Sequence, residues 1–170
     1  MIPISTHRHW GEVRKLLEQD FLCNSLKGRV RYFATKYHRA PDRTGRVCIL
    51  VDDQEIINMP FQTEDRIYAA AHAKRSNSNK SYWELIEETQ KEYHGRGVYY
   101  PGDFGYALDE FLSNQIASSL CSGNWLVRLL AVLDRRVGKR TLLKLKEELD
   151  TLPDWLQFFY HLRLESEQLL

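Results

Sequence analysis

From Asn124 to Leu164 apolar residues recur at helical spacing almost without a break, and this stretch constrains the chain more than any other. Leu126, Leu129, Leu130, Leu133 and Val137 fall three or four residues apart, so they line one face of a helix that is stable only when another element covers it. Gly138 can take the left-handed conformation that ends such a helix. Leu142, Leu145 and Leu149 then resume the stripe. Thr151-Leu152-Pro153-Asp154 announces a third helix, with Thr151 as cap, Pro153 in the first turn, and Trp155, Leu156, Phe159 and Leu162 on the buried side. Charge is segregated along the same stretch. Six cations and no acid lie between Arg135 and Lys146, and six acids with one arginine lie between Glu147 and Leu170.

The first half has a different period. Trp10, Val13, Leu16, Leu17 and Phe21 predict a helix over about 8–22, followed by Gly28. Residues 29–39 alternate as a strand, Pro41-Asp42-Arg43-Thr44-Gly45 has turn chemistry, and Val47 to Val51 is a β-branched run. Asp52-Asp53 turns the chain into a third strand, Glu55 to Met59, which Pro60 stops because its ring offers the ladder no donor. A helix follows over about 62–75, with Ser76-Asn77-Ser78-Asn79-Lys80 as a hinge candidate. Ser81 and Glu84 form a capping box for a helix ending at Gly95. After the aromatic loop at 97–102, Asp103 can cap a helix whose stripe is Leu108, Phe111, Leu112 and Ile116, closed by Ser122-Gly123. The expected fold is α+β: a three-stranded antiparallel meander flanked by helices, then a helical C-terminal half. Residues 1–170 form one unit, with sub-parts 1–75 and 81–170.

Twenty-four Lys and Arg against twenty-three Asp and Glu leave a net charge of +1, which excludes bulk electrostatic attraction to nucleic acid and confines any such role to local patches. Cys23, Cys48 and Cys121 have no C-x-x-C spacing, and the histidines have no partner at metal-ligand spacing. No cofactor or metal is therefore expected. No apolar run reaches the length of a signal peptide core or a membrane span, so the expected location is cytoplasmic.

Three constellations carry chemistry. In the first, Lys27, Arg29, Arg31, Lys36, Arg39, Arg43 and Arg46 stand against Asp42 alone. Strand alternation puts Arg29, Arg31, Phe33, Thr35, Tyr37 and Arg39 on one face, opposite Val30, Tyr32, Ala34, Lys36 and His38. Guanidinium groups grip phosphates and aromatic rings stack on bases, so an uncompensated face of this kind suits RNA or DNA. The alternative is that these arginines pair with acids of residues 84–92 or of the last helix. The second constellation is Arg135, Arg136, Lys139 and Arg140 with Lys144 and Lys146 around Gly138, loosely like a helix-turn-helix. There too the alternative is structural, with cations answering a helix dipole and Lys144 pairing with Glu147 or Glu148. The third is Asp52, Asp53 and Glu55, which together with Lys36 and His38 have the composition of a metal-dependent phosphodiesterase, though Asp-Asp also serves as ordinary turn chemistry. The aromatic run from Tyr99 to Tyr106 suits either a small-molecule pocket or packing between the two halves.

Phe21 to Val30, Val51-Asp52, Leu133 to Leu142 and Leu152-Pro153-Asp154-Trp155-Leu156 resemble a family of small bacterial proteins of about this length to which no activity is assigned. The resemblance implies a bacterial cytosolic protein and carries no catalytic or ligand-binding residue onto this chain.

The reading that follows is a non-enzymatic binding protein with an anionic partner, nucleic acid or acidic protein. The contact residues are Arg29, Arg31, Phe33, Tyr37, Arg39 and Arg46 on the meander, and Arg135, Arg136, Lys139 and Arg140 as a second region. Protein–protein interaction or self-association without nucleic acid is the competing class, and the phosphodiesterase ranks third.

Overall fold

The computed structural model describes residues 9–36 and 45–170. Among them the elements run β1 (Val30–Lys36), β2 (Gly45–Val51), β3 (Gln54–Pro60), preceded by α1 (Trp10–Lys15) and followed by α2 (Gln62–Lys74), α3 (Tyr82–Gly95), α4 (Pro101–Ser113), α5 (Ile116–Leu120), α6 (Trp125–Val132), α7 (Lys139–Lys146) and α8 (Asp154–Ser166). The three strands form one antiparallel sheet in the order β1-β2-β3, so the fold is α+β with a helical C-terminal half. The turn expected at 41–44, with Tyr37, His38 and Arg39, lies outside the described residues.

Alternation decides the sheet's two faces. Val30, Tyr32, Val47, Ile49, Val51, Ile57 and Met59 are buried on one side, while Arg31, Phe33, Glu55 and Asn58 are exposed on the other. Val30 pairs with Val51 and Lys36 with Gly45; a bulge between Ile49 and Leu50 leaves Ile56 without an opposite number. The open edge of β1 is blunted by Glu18, whose Oε1 accepts the Tyr32 backbone N–H at 2.8 Å.

The buried face meets α1 and α4, and behind α4 stand α6 and α8. In α6, Leu126, Val127, Leu129, Leu130, Ala131 and Val132 are all 3% exposed or less, so this helix is apolar nearly all round and forms the centre of the helical half. The core runs continuously from Val13 and Val30 to Phe159 and Leu164, joining the two sub-parts. Tyr99 and Phe104 of the aromatic run belong to it, whereas Tyr106 is exposed.

Several boundaries differ from expectation, each for a local reason. The helix expected over about 8–22 reaches Phe21, but from Leu16 it widens into a π-helical turn, Leu16–Phe21. Asp103 caps α4 from the third helical position: Pro101 opens the helix, and the Asp103 carboxylate reaches back to accept the Tyr100 N–H at 3.1 Å. The stripe through Ile116 breaks after Ser113, so Ile116 begins a separate short helix. Gly138 does not end α6; at φ −82° and ψ 163° it is extended and precedes α7. The chain leaves the helix earlier, because Asp134 bridges to Leu22 and Arg135 donates its N–H to the Phe21 carbonyl at 2.7 Å. Thr151 closes a 3-10 turn by donating to the Glu148 carbonyl, and the residue before α8 is Pro153.

Candidate nucleic-acid interface

Of the meander arginines that the structure describes, Arg29 and Arg31 face water and Arg46 is half-buried, but none of the three is uncompensated. Arg29 makes a bidentate pair with Asp52, Nε to Oδ1 at 2.9 Å and Nη2 to Oδ2 at 2.8 Å. Arg31 pairs with Asp53, and Arg46 Nη1 donates to Glu55 Oε2 at 2.8 Å. The partners come neither from residues 84–92 nor from α8, but from the β2–β3 turn and β3. Register is the cause: with Val30 opposite Val51, residues 29 and 31 lie beside the turn at 52–53. A sequence signal for this existed, since two arginines two apart at the end of one strand face two consecutive aspartates at the end of the next. Arg29's hydrogen bond holds the Asp52 carboxyl below its ordinary range, and Arg46 does the same for Glu55.

Asp52 and Asp53 both have left-handed backbone, φ 49° and 66°, as a tight hairpin turn requires. Their carboxylates are committed to arginines, and Lys36 pairs with Gly45 at the far end of β1. The register therefore separates Lys36 from the aspartates with which a phosphodiesterase site would need it. His38 lies outside the described residues, and among those described no group of three His, Cys, Asp or Glu is placed to hold a metal ion.

Around these pairs the solvent side of the sheet carries an exposed aromatic. Phe33 is 43% exposed, and the Arg46 guanidinium stands 5.7 Å from its ring centre. Cys48, between Phe33 and Asn58 in the cross-strand row, is fully buried beneath its neighbours.

The second basic region divides. Arg136 is structural: the Asp134 carboxylate, wholly buried, accepts its N–H at 2.7 Å and its Nη2 at 2.7 Å, and the guanidinium covers the rings of Phe21 at 4.8 Å and Phe111 at 5.8 Å. Donating to Asp134 raises the Arg136 pKa further. Arg135, Lys139, Arg140 and Lys144 are exposed and, among the described residues, make no side-chain ion pair or hydrogen bond. Glu148, one expected partner of Lys144, is taken by Arg128. Lys139 and Arg140 also occupy the first turn of α7, with Gly138 before them and no acid in that turn. Cations there oppose the helix dipole. Leu142 and Leu145 are buried, while Leu143 is 48% exposed among the cations.

One polar cluster escaped the sequence reading. The buried Asp103 carboxylate accepts from Gln90 Nε2 at 3.0 Å, His94 Nε2 at 3.1 Å and the Tyr100 N–H at 3.1 Å, with the His94 ring stacked 4.3 Å from that of Tyr99. It bolts the end of α3 to the start of α4, a contact that no residue spacing announces.

Among the described residues no helix is long and apolar enough to cross a membrane. Comparison with curated proteins and with solved structures returns no match. The model of the SF0329 protein family matches residues 9–164, nearly the whole chain, and the protein belongs to that family.

Proposed function

We propose that this is a non-enzymatic binding protein that holds RNA or DNA by its phosphates through the α6–α7 turn and α7, with Arg135, Lys139, Arg140 and Lys144 as the contact residues. One contrast carries the reading. Arg29, Arg31 and Arg46 each have a carboxylate within the sheet, whereas these four cations have no partner among the described residues and two of them stand where the helix dipole disfavours positive charge. The dipole accounts for Lys144 in the last turn of α7 but opposes Lys139 and Arg140 in the first, and an anion seated against that first turn would relieve both their mutual repulsion and the dipole. No exposed aromatic of the described residues lies within α7, so contact there is with the backbone and sequence-independent. A bacterial, cytosolic setting accompanies this reading, since three free cysteines suit a reducing compartment.

Fluorescence anisotropy with labelled oligonucleotides tests it. With four phosphate contacts, affinity falls about 50-fold on a single strand and about 150-fold on a DNA duplex between roughly 50 and 200 mM salt. Lys139→Glu/Arg140→Glu/Lys144→Glu weakens binding and lowers the salt slope by about 2 to 3. A flat salt response in the wild type, or an unchanged slope in the triple variant, rejects the reading. The acidic-protein alternative has Leu143 in its favour, an apolar side chain amid the cations; polyglutamate displacing the oligonucleotide at equal charge concentration would favour it.

A further inference from the structure

The solvent side of the sheet combines three things: a row of arginines, an exposed aromatic among them, and anions drawn from the protein's own turn. Arg29 and Arg31 are two residues apart and hold the carboxylates of two consecutive residues, Asp52 and Asp53. Phe33, two residues further along the same face, is exposed, with Arg46 beside its ring. Leu50 and Asn58 continue the surface across β2 and β3. A chain of anions punctuated by flat rings is the chemistry complementary to this surface, and a single nucleic-acid strand has both.

The turn makes the arrangement conditional. Both aspartates hold the left-handed backbone that Asn and Gly adopt most readily, so the turn itself does not ask for two acids. What the acids add is a pair of negative charges on Arg29 and Arg31. The side chains of both pairs are 44% to 81% exposed. Both pairs are open to water and screened; the bidentate Arg29–Asp52 pair is the firmer of the two, and an incoming phosphate replaces each carboxylate contact with another of like charge.

We infer that the solvent side of the sheet is a second, self-masked binding site for single-stranded nucleic acid, in which the Asp52-Asp53 turn occupies Arg29 and Arg31 until two phosphates displace it and a base stacks on Phe33. The inference rests on the nucleic-acid reading of α7 for its ligand class, but not for its residues.

The test removes the mask without touching the fold. Asp52→Asn/Asp53→Asn keeps residues that accept a left-handed backbone and deletes both charges; thermal unfolding and circular dichroism establish that the variant is folded. Anisotropy is measured with a labelled oligouridylate and with a duplex of equal length. The double variant binds the single strand about fivefold tighter or more at low salt, and two new phosphate contacts steepen its slope by about 1.4. Adding Phe33→Ala removes most of the gain on the single strand, because stacking on an aromatic contributes about tenfold.

A folded double variant whose affinity and slope match the wild type overturns the inference, as does an equal gain on the duplex that Phe33→Ala leaves intact. The α7 triple variant separates the two claims. If it abolishes wild-type binding while the unmasked turn gains nothing, the α7 reading stands and this one fails. If the wild type does not bind and the unmasked protein binds the single strand steeply with salt, the reverse holds. If neither binds, both are rejected.

Discussion

Gly97 and Gly28 both hold a left-handed backbone, at φ +75° and +82°, and they should respond differently to the same substitution. At Gly28 a Cβ meets nothing within 4 Å, so Gly28→Ala pays for the backbone alone, about 1 kcal/mol. At Gly97 a Cβ falls 2.9 Å from Cγ of Trp155, whose Nε1 is tied to the His94 carbonyl at 3.0 Å and cannot swing aside freely. Gly97→Ala should therefore cost about 3 kcal/mol in urea unfolding, and equal costs at the two sites would show that Trp155 yields. A second residue-scale prediction concerns Asp52. Its hydrogen bond from Arg29 depresses the folded pKa below the ordinary 3.8, so the stabilisation it provides is present above that value and is lost as pH falls through the folded pKa. An NMR titration of the carboxyl should have its midpoint below 3.8 and return to it in Arg29→Gln. A wild-type midpoint at 3.8 or above would mean that the pair does not persist in solution, and the mask on the sheet would go with it.

At the scale of single elements, α7 is the helix whose sequence works against itself. Its apolar side is well made, with Leu142 and Leu145 buried, but its first turn carries Lys139 and Arg140 without an acid. Replacing both by glutamate reverses an unfavourable interaction with the dipole, so Lys139→Glu/Arg140→Glu should raise Tm by about 1 to 4 °C. A lower Tm would show that the cations contribute to the fold and would remove the reason for assigning them a partner. The same variant thus tests stability and binding in opposite directions, which separates lost contact from lost structure. By contrast α3 obeys its local rules. Ser81 accepts from the Glu84 N–H at 3.3 Å, and Glu84 accepts from the Ser81 N–H at 2.7 Å, which is why its start was legible from four residues.

Over the whole molecule, the sheet, α1, α4, α6 and α8 share one core, whereas α2 and α3 pack chiefly on each other through Ile67, Ala71 and Leu85, which stand apart from it. The pair is joined to the rest by the Asp103 cluster, by the Trp155 Nε1–H donated to the His94 carbonyl at 3.0 Å, and by chain continuity. Hydrogen exchange should then show α2 and α3 opening together at a lower free energy than α6, the most enclosed helix. Exchange of all three at one rate would make the molecule a single cooperative unit. How legible the molecule was follows the range of the forces involved. Residue order by itself determined the meander, the faces of its strands, the helical second half and the start of α3, because period, turn chemistry and capping act between residues a few positions apart. Tertiary structure alone decided where α6 ends, since Leu22 and Phe21 reach Asp134 and Arg135 from the far end of the chain. It also decided which cations are neutralised. Composition counts charges, but a carboxylate satisfies only the guanidinium that register brings within about 3 Å. Pairing of β1 with β2 thus assigned Asp52 and Asp53 to Arg29 and Arg31, and left Arg135, Lys139, Arg140 and Lys144 facing water.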